Sequence, residues 1–254
     1  MIPDVQNVIP PATVSAVEKP PSKSAGREVT EKAIEAGLNL VPLAGGPLGV
    51  AFAYAVSLTY NRRMTKWLEG LAEAVDDLAA EVEGLDLENL AANDNFVDAV
   101  TSATQAATRT HQALKIAALR NAVLNSALPG APDADMQLIF LRWIEDYTSA
   151  HLQILTLLND PEAWYAERNI HIKKDVMAGS RRQLVEEGIP EFASRREFVD
   201  VVVSDLASAG LIKISGLGGM VTGNGMYQSV TSDLAAKFIA FITDPRRNTA
   251  SSSA

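Results

Sequence analysis

Between Glu35 and Arg62 lie 26 residues without a single charge, AGLNLVPLAGGPLGVAFAYAVSLTYN. A run this apolar has to leave water, because its exposure forfeits about 25 cal/mol for every Å² that burial would remove. It cannot be one smooth helix. Pro42 lacks an amide hydrogen and clashes with the preceding turn, and Gly45, Gly46 and Pro47 follow closely. The pattern predicts an apolar helical hairpin over 36–61, two helices joined by a tight turn, with Pro47 at the first position of the second. Spanning a bilayer takes roughly 20 apolar residues in one helix. Pro47–Tyr60 supplies 14, about 21 Å of helix against a hydrocarbon core of about 30 Å. The favoured expectation is therefore a hairpin buried in a bundle core or at an oligomer interface, with Val50, Phe52, Ala53, Tyr54, Val56 and Leu58 at the contact. Membrane insertion through 36–61 is the alternative, and Arg62, Arg63 and Lys66 would then meet the cytoplasmic headgroups.

After this basic cluster, Leu68, Leu71, Val75, Leu78, Val82 and Leu85 follow a 3,4,3,4,3 spacing that sets all six on one helix face. Apolar Ala72, Ala74 and Ala79 widen the stripe towards that of a bundle helix. The same stretch is acidic: ten carboxylates fall between Glu69 and Asp98 with no Lys or Arg among them. The next predicted helix, roughly 95–128, carries only Arg109, Lys115 and Arg120 beyond Asp98, so an antiparallel pair would set opposite charges side by side. Asp133 is a candidate N-cap for a further helix over 136–159, with Leu138, Leu141, Ile144, Leu152, Leu155 and Leu158 inward.

The last sixty residues change character. A helix with Phe198, Val201, Val202 and Leu206 stops at Gly210, and is followed by LIKI, the glycine-rich SGLGGMVTGNG, MYQSVTS and an apolar helix from Asp233 to Thr243. Helix, strand, glycine loop, strand, helix predicts a winged helix whose first helix is 149–159. The fold expected is mainly α. A Pro-rich tail (1–27) precedes a helical bundle (28–130), which is followed by a winged-helix-like domain with a small β-wing (131–245) and a polar tail (246–254).

Composition removes several chemistries. The chain has no cysteine, hence no disulfide, thiolate nucleophile or thiolate metal site. Its three histidines stand in no metal-ligand spacing, and no nucleophile elbow or calcium loop occurs. The glycine loop lacks the Gly-Lys-Ser/Thr of a phosphate-binding loop, and a strand follows it rather than a helix. No cofactor, metal or catalytic residue is expected. For a winged helix the charges decide between partners. The net charge of the chain is −9. Over 180–242 six basic residues face seven acidic ones, and the recognition-helix surface would present Glu197, Asp200, Ser204 and Ser208, with Lys213 on the wing. Such a surface repels phosphates. A protein partner or a second copy of the chain is expected, nucleic acid is disfavoured, and a DNA-binding transcriptional regulator remains the alternative function.

NLVPLAGGPLGVAF (39–52), AALRNAVLNSAL (117–128), SAHLQILTLLNDPEAWY (149–165), SDLASAGLI (204–212) and TSDLAAKFIAFI (231–242) together resemble a widespread group of bacterial helical proteins without assigned function. These are similar to the abortive-infection alpha family, whose members are associated with phage defence. The resemblance covers about two thirds of the chain and rests on apolar, structural motifs, so it carries over no catalytic residue. It implies a cytoplasmic bacterial protein, peripheral to the inner membrane if the hairpin inserts, that senses or binds a partner and is not an enzyme.

Overall fold

The first described helix begins at Pro47, where the fixed φ of proline suits the first turn. A computed structural model describes residues 47–82, 85–172 and 177–246. The tail 1–27 and the first half of the expected hairpin lie outside them, as do the side chains of 47–54. Helix α1 (Pro47–Glu81) runs for 35 residues straight through the basic cluster. The expected separation of an apolar helix from an acidic one is therefore wrong in this respect. Asn61 to Lys66 contains neither Gly nor Pro, so nothing stops propagation once the helix has begun.

The chain divides into two units at Thr59. In the first unit the described part is the start of α1. The second unit, from Tyr60, holds a large buried cluster that includes Trp67, Leu119, Phe140, Tyr165, Leu206 and Phe238 and so joins the bundle to the C-terminal half, with a small second cluster of Ala74, Leu78 and Leu124. Of the six stripe residues, four lie in α1, which ends before Val82 and Leu85; Leu71 and Leu78 are buried, whereas Leu68 is exposed. The six-residue face thus loses its first member.

Beyond α1 come α2 (Leu87–Ala91), α3 (Asp94–Arg109), α4 (Ala113–Ser126), α5 (Ala134–Asp146), α6 (Ser149–Asn159) and α7 (Pro161–Glu167). Two helices expected to be continuous are broken, each by tertiary hydrogen bonding. The predicted helix 95–128 divides because Thr110 turns extended (φ −121°, ψ 152°), and the Gln112 side chain accepts from the Ser149 amide at 3.2 Å and from its hydroxyl at 2.8 Å. The predicted helix 136–159 divides at Thr148, which caps α6 in a box with His151. Asp133 caps α5 as its position predicts, accepting from the Met136 amide at 3.0 Å, but Leu138 faces water. Opposite charges do not lie side by side as expected either. Arg109 pairs with Glu145, and the Lys115 ammonium donates to the Glu145 carbonyl at 2.7 Å, both on α5 rather than on the acidic α1.

The C-terminal half contains β1 (Ala178–Ser180), α8 (Arg181–Gly188), a 3₁₀ turn at Pro190–Phe192, α9 (Arg196–Ser208), β2 (Met220–Thr222), the single turn α10 (Gly223–Met226) and α11 (Asp233–Ile242). β1 and β2 pair antiparallel, Ala178 opposite Thr222 and Ser180 opposite Met220. The strands expected at LIKI and MYQSVTS shrink to one bridge, Ile212 with Thr231, flanked by Lys213 N–H to Val230 O (2.7 Å) and Ser232 N–H to Leu211 O (2.9 Å). The strand forms instead inside the glycine-rich stretch, where β-branched Val221 and Thr222 favour extension. Thr222 then caps α10 through the Gly225 amide.

Candidate functional site

Helix α9 turns Val199, Val202, Val203 and Leu206 into the core. The 3.6-residue period then leaves Glu197, Val201, Ser204 and Ser208 on the opposite side, with Asp200 beside them. All five are exposed, Val201 to 58%. Asp200 is not a free charge, since the largely buried Arg182 guanidinium of α8 pairs with it. What remains is a face with one unpaired carboxylate, one bare valine and two hydroxyls. Four of the five residues expected at a partner surface therefore share one helix face. The fifth, Lys213, belongs to another place. It lines a groove of about 420 Å³ with Arg181 and the backbone of the glycine loop from Ser215 to Gly219, so the loop holds two cations where the sequence offered one. Helical periodicity could not have found Arg181, which arrives there because α8 starts directly after β1.

The second candidate surface is the N-terminal part of α1. Every residue from Ala55 to Arg63 is exposed, with Val56 at 51% and Leu58 at 49%. Nine residues make two and a half helical turns, so the exposure covers all faces. Val56 and Leu58 of the expected contact surface are thus exposed, and the first helix of the expected hairpin, which would face them, lies outside the described residues. Val50, Phe52, Ala53 and Tyr54 lie in the stretch whose side chains are outside the described set. Arg62 and Arg63 are exposed, as a basic cluster next to an apolar stretch should be.

His151 is the one histidine that is buried. Its Nδ1 accepts from the Thr148 amide at 3.2 Å, which leaves the proton on Nε2 to donate to Asp205 Oδ2 at 3.3 Å, and its ring stacks on Tyr147 with centroids 4.7 Å apart. Burial pulls its pKa below the ordinary value, and this outweighs the opposing pull of Asp205. A neutral imidazole thus satisfies both neighbours and fastens α6 to α9. It is a histidine of the interface between the two helices.

Among the described residues no group of three His, Asp or Glu is placed to hold a metal ion. Nor is any described helix long and apolar enough to cross a membrane. The fold also does something the sequence did not predict: it brings His111 and Arg120 to the same groove as Arg63 and Lys66. No family model, curated protein or solved structure matches the chain.

Proposed function

We propose that this protein is a non-enzymatic interaction or sensor protein acting in the bacterial cytoplasm in abortive-infection-type phage defence. Its winged-helix-like C-terminal half, built on α6, β1, α8, α9 and the loop carrying β2, binds a protein partner through the outer face of α9. The apolar start of α1 mediates assembly with a second copy of the chain, or inserts into a membrane on a trigger. The observation that carries this reading is the stretch Ala55–Arg63, exposed throughout while holding Val56, Leu58 and Tyr60. Large apolar groups gathered on an exposed helix mark an interaction site. A second copy offers the same charge-poor surface and buries both at once, as a two-fold interface requires.

Val56→Asp and Leu58→Asp test it. Both positions are exposed, so the monomer should keep its stability to within about 0.5 kcal/mol. Sedimentation or light scattering should show oligomers in the wild type and none in the variants. A wild-type chain that stays monomeric at high concentration and ignores anionic vesicles would remove the assembly role.

A second reading, a DNA-binding regulator, is favoured by the pairing of Arg181 with Lys213 beside the glycine loop. Against it stand Glu197 and Asp200 on the helix that would enter the groove. Anisotropy titrations with duplex DNA at about 150 mM salt should show only weak, sequence-independent binding, in the micromolar range or above. Sequence-selective nanomolar binding would reverse the preference.

A further inference from the structure

We infer that the groove between α1, the Thr110–Gln112 linker and α4 is a binding site for a small soluble amphipathic anion, a phosphate or carboxylate joined to an apolar body. The groove has a volume of about 490 Å³, within the range typical of small-molecule sites. Its charged lining is wholly cationic, Arg63, Lys66 and Arg120, and the Thr110 and His111 side chains stand beside them. No Asp or Glu lines it, in a chain with 31 acidic residues against 22 basic. Like charges gathered with no carboxylate in the groove itself repel one another, and an anion seated among them relieves the repulsion.

Two of the cations are available for such a role. Arg63 and Lys66 form no ion pair with any described residue. Arg120 is already partly committed, because its guanidinium acts on the Asp244 carboxylate. Its Nε is nevertheless buried without a hydrogen-bond partner, a donor left over in a place where burial makes that costly.

The rest of the lining is largely apolar. Trp67 is buried, and its indole N–H is spent on the Thr104 hydroxyl at 2.9 Å, so the ring offers the groove only carbon. Leu71 and Ile116 extend that wall. Between them sits Gly70, in the interior of a 35-residue helix where alanine would be the better helix former. Nothing lies within 4 Å of a Cβ built at Gly70, so no neighbour in the protein requires a glycine there. What the missing side chain preserves is the open floor of the groove. Cationic head positions beside a carbon-lined floor match a ligand with a charged end and an apolar body.

The test is calorimetric titration of the full chain with octyl phosphate, compared with n-octanol and with inorganic phosphate. One-to-one binding is expected, at least about tenfold tighter than for either half alone, a difference of about 1.4 kcal/mol. Gly70→Leu fills the floor with a good helix former, so it should abolish the heat of binding without lowering the thermal midpoint. Lys66→Gln, at an exposed position, should weaken octyl phosphate binding and leave any octanol binding unchanged. Vesicles containing phosphatidylglycerol should bind no better to the wild type than to Gly70→Leu. The inference is overturned if octyl phosphate gives no saturable heat, if octanol binds equally well, or if both variants bind like the wild type. It is also overturned if vesicles alone bind and lose that binding in Gly70→Leu, since the groove would then read a lipid surface.

Discussion

Helix α11 ends without a glycine cap, at an extended Thr243, so its last carbonyls need partners from elsewhere. Two asparagines of α4 provide them. The Asn125 side-chain amide lies 2.9 Å from the Phe241 carbonyl and 2.8 Å from that of Thr243, and the Asn121 amide lies 2.9 Å from the Ile242 carbonyl. The Asn125 amide has two hydrogens for three acceptors, the third being Asn121 O within α4, so Asn125→Ala removes up to two bonds, one to Phe241 of α11 and one to its C-cap Thr243. At about 0.5–1.5 kcal/mol net for each bond the loss should be about 1–3 kcal/mol. For a domain of this size that lowers the thermal midpoint by about 2–4 °C per kcal/mol, or roughly 2–12 °C in all. Urea denaturation followed by circular dichroism measures it, and hydrogen exchange should locate the loosening in α11, which at ten residues is too short to stand alone. Asn125→Asp should be worse at neutral pH, because a carboxylate would face carbonyl oxygens. It should recover as the pH falls and the acid regains one donor. A change below about 0.5 kcal/mol for Asn125→Ala, within the range of ordinary surface substitutions, would refute the argument that these bonds hold α11 in place.

Protonation of His151 should cost stability, because a proton on Nδ1 would oppose the Thr148 amide that now donates to it. Its folded-state pKa lies below the unfolded value of 6.5. The unfolded chain therefore binds more protons in acid, and this contribution is complete above that value and lost as the pH falls below it, at a slope of up to about 1.4 kcal/mol per pH unit. In His151→Gln, which keeps a capping side chain at the third helical position, denaturation midpoints between pH 7 and 5 should fall less steeply than in the wild type. Equal slopes would mean that His151 does not titrate in that interval. At Gly70 an added methyl meets open space, so Gly70→Ala should stabilise the fold by about 0.5–1 kcal/mol, read from the same urea transitions. A loss of stability there would indicate that the helix backbone at this point is under tighter packing than the structure describes.

The helices themselves were largely legible from the residue order, because they depend on neighbours three and four positions apart. Pro47 at the first position of α1, Asp133 as the cap of α5, the end of α6 at Asn159 and the inward side of α9 all follow from local rules. The exposed face Glu197, Ser204 and Ser208 was legible for the same reason, being the complement of that inward side. Where helices stop was not. Thr110 and Thr148 interrupt sequences with no Gly or Pro, and they do so because Gln112 reaches Ser149 and His151 reaches Asp205. The partners in those bonds are 37 and 54 residues apart, beyond the reach of any local pattern. Strand placement failed likewise. β1 and β2 are three residues each and exist only as each other's partners, and a strand's hydrogen bonds, unlike a helix's, go to another part of the chain. The same distinction governs the candidate sites. Composition determined that the chain is acidic, lacks cysteine chemistry and carries an apolar run ending in Arg62 and Arg63. Only the packing of α4 against α1 set Arg120 and His111 beside Arg63 and Lys66, because a groove is made of surfaces from segments whose separation in sequence carries no information about their distance in space.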